Sequence, residues 1–282
     1  MRVFVLLSIG CGSSSTPAPP APVPVPIAID AAAGLDASII TTNWPDGCFT
    51  IRDANGKLYE SDHDRCAQPR RPFSTFKIAN ALIAVDAGVL DGPDAQMTWD
   101  KTRVPDEKNY LDIWRKPHTL RTGIAVSAVP YFRTLALQIG EDRMRAGLEK
   151  LHYGNRDISG GLDRFWLGGG LRISAAEQLA FIDALAHEKL AVTPHAQKVL
   201  AEVTILARSD RDVLHGKTGA GPLEHGKGDW LVWQVGWIEH AGALLPYAAW
   251  MESTVENIDD ARAAREARLR ETFAALAMFP RT

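Results

Sequence analysis

Cysteine is scarce in this chain, with three in 282 residues. Cys48 and Cys66 have only His63 as a nearby histidine, which falls short of the four ligands of a structural zinc site. Excess charge of one sign is also lacking. The 31 Lys+Arg and 34 Asp+Glu leave a formal −3, spread without long blocks. That gives no reason to expect a nucleic acid or an anionic membrane as partner. Beyond the N-terminus no apolar run is long enough to span a bilayer, and no internal repeat is visible. What is present is 46% hydrophobic content, enough for a large core as one big domain or two small ones.

The first eleven residues read as an export signal: Arg2, then the short apolar run Val3 to Ile9, then Gly10-Cys11. A small residue before cysteine resembles a bacterial lipoprotein cleavage box. Ser8 stands where leucine is usual, so two readings stay open: a lipid anchor on Cys11, or an ordinary signal with an incidental cysteine. Residues 12–30 are rich in Ser, Pro and Ala and form an extended tether. The folded body is expected over 31–282, in an exported, periplasmic setting. An oxidising compartment favours a Cys48–Cys66 disulfide over two buried thiols.

Within the body, Cys48 to Arg52 and Lys57 to Glu60 read as a hairpin around Asn55-Gly56. An apolar helix follows Ser74 and ends near Gly88, and residues 91–118 read as loop. From Thr119 to about Ala207 the period is helical, with Ser174 capping a helix through Glu177. Strands return at Val213 to Gly219, Trp230 to Glu239 and Ala243 to Glu252. Ile258 to Met278 closes as a helix. Strands at both ends with helices between predict an α/β fold: one antiparallel sheet flanked by terminal helices, with an all-helical domain inserted.

Ser74-Thr75-Phe76-Lys77 is the stretch with most chemistry. Serine and lysine three apart on a helix share a face. A serine hydroxyl needs a base to become a nucleophile, and a lysine amine serves once burial lowers its pKa. Taken alone, Ser-x-x-Lys arises by chance about once in a chain of this length. Ser127-Ala128-Val129 reads alone as a helix cap, and Tyr153-Gly154-Asn155 as a turn with Gly and Asn in left-handed conformations. Trp166 reads alone as core. Lys217-Thr218-Gly219 can present a cation and a hydroxyl to a carboxylate, with glycine keeping the strand edge open.

Together, in this order, the motifs resemble the class D, oxacillinase-type serine β-lactamases, with Ser-Ala-Val where class A enzymes carry Ser-Asp-Asn. The likeness runs from about Cys48 to Arg270. It includes Tyr153-Gly154-Asn155, Ile158 to Gly161, Phe165-Trp166-Leu167 and Leu171 to Ser174. The resemblance implies the β-lactamase/transpeptidase-like fold and hydrolysis of β-lactams. Ser74 would be acylated, Lys77 carboxylated by carbon dioxide to serve as base, and Ser127 the proton relay. Val129 and Trp166 would support the carbamate. Lys217, Thr218 and Gly219 would face the substrate carboxylate, and the N–H groups of Ser74 and Ala220 would form the oxyanion hole. Among the crowded C-terminal arginines, the frame before Glu271 favours Arg270 for the carboxylate. No metal and no cofactor other than carbon dioxide is implied, and monomer and homodimer are both open. β-Lactam sensor domains and cell-wall transpeptidases share these motifs. The first sit behind several membrane spans, and the second normally carry Ser-x-Asn.

Overall fold

The computed structural model describes residues 34–223 and 229–278, which belong to one compact unit. The leader, Cys11 and the 12–30 tether lie outside the described residues. The chain opens with α1 (Ala37–Asn43), the hairpin β1 (Gly47–Arg52) and β2 (Leu58–Glu60), and the short α2 (His63–Ala67). A 3₁₀ turn over Phe73–Phe76 leads into α3 (Lys77–Asp86), in which nine of the ten residues are buried. Gly88, at φ +66°, ends it by turning the chain left-handed, as Cβ-bearing residues do only reluctantly.

The stretch 91–118 is not all loop. It holds a two-stranded ribbon of β3 (Gln96–Met97) and β4 (His118–Thr119), with a 3₁₀ turn at Asp112–Arg115. Then come α4 (Leu120–Ala125), α5 (Val129–Ile139), α6 (Glu141–Lys150), α7 (Ala175–Ala186) and α8 (Pro194–Val203). Ser174 and Glu177 form the expected capping box at the start of α7, each side chain accepting the other's backbone N–H. β5 (Ile205–Arg208), β6 (Asp212–Pro222), β7 (Trp230–His240), β8 (Ala243–Ser253) and α9 (Ile258–Ala275) complete the order. β6 runs a few residues beyond its sequence expectation, and β7 and β8 one residue each, because two ladders carry the pairing to Pro222↔Trp230 and His240↔Ala243.

Six of the eight described strands form one antiparallel sheet in the order β2-β1-β8-β7-β6-β5, so strands from both ends of the body meet at β1 and β8. Each face of the sheet buries its own core. One face packs against the helical insertion through residues such as Phe76, Phe132, Trp166 and Trp233. The other packs against α1 and α9 through Trp44, Phe49, Tyr247 and Phe273. Trp44 ties the two terminal helices together by donating its indole N–H to Thr272 Oγ1 at 3.0 Å. This is the architecture the residue pattern predicts.

Cys48 on β1 and Cys66 on α2 are joined as a disulfide, both fully buried. The bridge fastens the short helix before the Ser74 turn to β1, an interior strand of the sheet. Replacing both cysteines by alanine should lower the unfolding free energy by roughly 3 kcal/mol, the chain-entropy value for a closed loop of about 19 residues. Urea denaturation of the oxidised protein and the double variant measures this, and coincident midpoints would contradict it.

Candidate active site

The site begins where the sheet, α3 and α5 meet. Phe73, just ahead of Ser74, holds φ +49°. Such a backbone costs roughly 1–3 kcal/mol and persists only where surroundings over-determine it. Here they do. Thr75 donates its hydroxyl to Pro72 O at 2.8 Å and accepts from Gln178 Nε2 at 2.9 Å. Gln178 also donates to Tyr153 OH at 3.2 Å, so a fully buried polar chain from α7 braces the turn. The bracing role of Gln178 is absent from the sequence reading. In the sequence nothing marks it beyond being a glutamine on an apolar helix face.

Lys77 is the first residue of α3 and is wholly buried. Its Nζ donates to Ser74 Oγ at 2.9 Å, Ser127 Oγ at 2.8 Å and Ser127 O at 2.6 Å. None of these oxygens carries a charge. Burial, then repulsion from Lys217 and Arg262, holds the amine well below the ordinary lysine range. The Phe132 ring lies 5.4 Å from Nζ, and Asn80 fastens α3 to α5 by donating to Phe132 O at 3.1 Å.

Ser127 does not cap a helix. It sits in the turn between α4 and α5 at φ +55°. The turn is held by Ala128 N donating to Gly123 O at 2.8 Å and by the Trp114 indole donating to Val126 O at 2.9 Å. That conformation brings both the hydroxyl and the carbonyl of Ser127 onto Lys77. Val129 opens α5 and is half-buried. In the Tyr153 turn Gly154 is left-handed as expected, at φ +52°, but Asn155 is not; His152 and Arg156 take that conformation instead. Asn155 uses its side chain to close the following loop, accepting from Arg172 N and donating to Gly170 O, each at 2.9 Å.

On the sheet side, β5 pairs with β6 only at residues 213–215, so the edge carrying Lys217 to Pro222 is left free by β5. It lies against the Ser74 turn. A Cβ on Gly219 would come within 2.7 Å of Pro72 O and 3.2 Å of Thr75 N, and one on Gly221 would enter the Phe73 ring. Glycine at these two positions is what lets strand and nucleophile turn touch. Lys217 is buried, and its Nζ donates to Thr218 O at 3.0 Å. Burial, then Arg265 and Arg262, pushes its pKa down to about 7.

Arg270 is placed differently from its expected role. It is exposed and spends its guanidinium on Glu266 Oε1, at 2.7 Å from Nη2. The arginines felt by Lys217 are Arg265 and Arg262, one to two turns nearer the start of α9. Arg265 is buried and donates to Trp233 O at 3.2 Å. Arg262 is exposed and pairs with Asp259 Oδ1 at 2.7 Å, but unlike Arg270 its charge is felt by both Lys77 and Lys217.

Trp166 tests whether an anion on Lys77 would be received. It is fully buried against Phe76, ring centres 5.1 Å apart, and its Nε1 has no hydrogen-bond partner. An indole N–H is a donor only, and leaving one buried and unpaired costs about 1–3 kcal/mol. A carbamate on the neighbouring residue suits that donor, so the residues present fit the group.

The chain as a whole is similar to known proteins. Residues 50–269 match the family model described as the penicillin binding protein transpeptidase domain. The chain is 36% identical to β-lactamase OXA-10 of Pseudomonas aeruginosa over 68% of its own length and 71% of that protein. It superposes on the crystal structure of FUS-1 (OXA-85), a class D β-lactamase from Fusobacterium nucleatum subsp. polymorphum, with a TM-score of 0.76 and 32% identity. That match covers 85% of this chain and 97% of the other. It is also 32% identical to the regulatory protein BlaR1 of Bacillus licheniformis, over 72% of this chain but 32% of BlaR1.

The arginine placement has a direct check. Arg262→Ala should raise KM for a carboxylate-bearing substrate by on the order of tenfold or more, the usual size for a charge-assisted contact, while Arg270→Ala should leave KM within about twofold. Steady-state kinetics on both variants decides it, and the reverse ranking would return the role to Arg270.

Proposed function

Given that the chain belongs to the class D serine β-lactamases, a family of β-lactam hydrolases, we propose that it works through an acyl-enzyme on Ser74 with Lys77 carboxylated as the base. The observation that carries this is the fully buried Lys77 amine, within 2.9 Å of the Ser74 hydroxyl and 2.8 Å of the Ser127 hydroxyl. An amine kept neutral by burial can add carbon dioxide; an ammonium cannot. A carbamate there supplies a base of ordinary strength, held by the Trp166 N–H and sheltered by Phe132 and Val129.

The chain's own residues then divide the work. Lys217, Thr218 and Arg262 bind the substrate carboxylate and orient the ring. Ser74 Oγ attacks the lactam carbonyl, giving up its proton on the Lys77 side, and the N–H groups of Ser74 and Ala220 receive the developing oxyanion. As the carbonyl–nitrogen bond breaks, Ser127 passes a proton to the leaving nitrogen and regains one from the Lys77 side. Water then hydrolyses the ester, releasing the ring-opened acid and restoring Ser74. One base site serves both halves, so no separate glutamate is required.

The likeness to part of BlaR1 keeps a sensor that acylates without turnover as the second reading. Export is supported by the Cys48–Cys66 bridge, since disulfides persist in oxidising compartments. Anchoring through Cys11 is part of the same proposal.

Two experiments test the mechanism. Intact mass after mixing with a penicillin should show a Ser74 adduct that Ser74→Ala lacks, with turnover lowered by on the order of 10⁴. Hydrolysis beyond one equivalent separates the enzyme from a sensor, and an adduct surviving in the variant would refute the nucleophile. Activity should fall when bicarbonate is removed or the pH is lowered, since protonating the depressed Lys77 amine blocks carboxylation, and should return on adding bicarbonate. A carbon-13 carbamate resonance should accompany it and vanish in Lys77→Ala. Full turnover without bicarbonate and without that resonance would leave Lys77 a plain amine base.

A further inference from the structure

Arg133 is the only charged residue of α5, set among Tyr131, Phe132 and Leu135, and it is 3% exposed. All three of its guanidinium nitrogens donate hydrogen bonds. Nε and Nη2 donate to Asp163 Oδ2 at 2.8 and 2.5 Å. Nη1 donates to Glu107 Oε1 and to Tyr110 OH, each at 2.6 Å. Arg164 pairs with the same Glu107 oxygen. A buried arginine with two carboxylates is a poor source of stability, since apolar residues of similar size do as well. What a planar fork adds is geometry: it fixes its partners in place relative to one another.

The partners come from two distant segments, and each leads to an aromatic of the site. Tyr110 packs edge-on to Trp114, the indole that bonds Val126 O next to Ser127. Asp163 stands three residues before Trp166. The turn that carries Trp166 is flanked by Gly160 and Gly161, at φ +94° and +107°, and by the run Gly168 to Gly170. Glycines give such a turn many alternative conformations. Between them, the Arg133–Asp163 pair is a polar fastening of the turn to the helix that begins at Val129.

We propose that Arg133 is a positioning residue: through Asp163 it holds the 161–168 turn so that the unpaired Trp166 N–H stays available to the anion on Lys77. Arg133 thereby sets how tightly Lys77 takes up carbon dioxide. This rests on the carboxylation of Lys77 proposed above. Loss of the fastening weakens carbon dioxide uptake without removing any group that touches the substrate, so excess bicarbonate restores the rate. A role confined to stability predicts lower folding stability at unchanged carbon dioxide affinity.

The test is a titration of wild type, Arg133→Met and Asp163→Asn with carbon-13 bicarbonate. It follows the carbamate resonance alongside hydrolysis, with melting temperatures recorded. The half-saturating bicarbonate should rise on the order of tenfold in Arg133→Met, the usual scale for losing an outer partner of a ligated group, and by a smaller factor in Asp163→Asn. The rate at saturating bicarbonate should return to within about threefold of wild type. Asp163→Asn keeps the side-chain shape and decides the matter should Arg133→Met fail to fold. Unchanged half-saturation with a clear wild-type resonance overturns the positioning role alone. A wild type with no resonance overturns the lysine reading and this inference with it. A folded variant whose lost rate bicarbonate does not restore also overturns the role of Arg133.

Discussion

A lysine amine without access to water is the constraint from which the site follows. Lys77 is buried at the first turn of a helix, where the backbone dipole adds to the penalty on a positive charge. Lys217 and Arg262 push in the same direction. Such a group stays soluble in its surroundings only as the neutral amine or as something else made from it. The two serine hydroxyls and the serine carbonyl around it satisfy hydrogen bonds but offer no counter-charge. Trp166, packed on the adjacent Phe76, brings a buried indole donor that has no partner of its own.

The strand edge obeys a constraint of distance. Gly219 and Gly221 alternate with Thr218 and Ala220 along β6, so both glycines share the face that meets the Ser74 turn. One bare position admits the Pro72 carbonyl and the other admits the Phe73 ring. The left-handed Phe73 backbone and the missing side chains opposite it are thus two parts of one fit. Lys217, on that same face, is carried to the lip of the site by the strand's alternation.

Much of this was legible in the residues themselves. Long strands and the capped α7 announce themselves through alternation and a capping box, and the motif serines and lysines converge as their resemblance implies. What was not legible depended on rotation and register. Arg262, Arg265, Arg268 and Arg270 fall within nine residues of one helix, and nothing local says which faces the sheet. The packing of α9 settles that, burying Arg265 and Leu269 and turning Arg270 out to Glu266. Asn155 looked like a left-handed turn residue, whereas its side-chain bonds to the 170–172 backbone hold it elsewhere. Arg133 carries a signal of its own: a lone charge in an apolar helical run must have partners, though they lie 23 to 30 residues away.

The pairing of β1 with β8 has a consequence for how the chain comes to be folded. Gly47 sits opposite Met251, about 200 residues later, so the interior of the sheet joins the earliest and latest strands of the body. Pairings that span such a separation are slow to form, because loop closure precedes any reward. Until β8 has emerged, the β1–β2 hairpin keeps one long apolar edge without a neighbour, the kind of edge that invites pairing with another chain. An unfinished or truncated polypeptide is therefore a sticky one. Any cell making this protein must keep the first half from aggregating while it waits for the second.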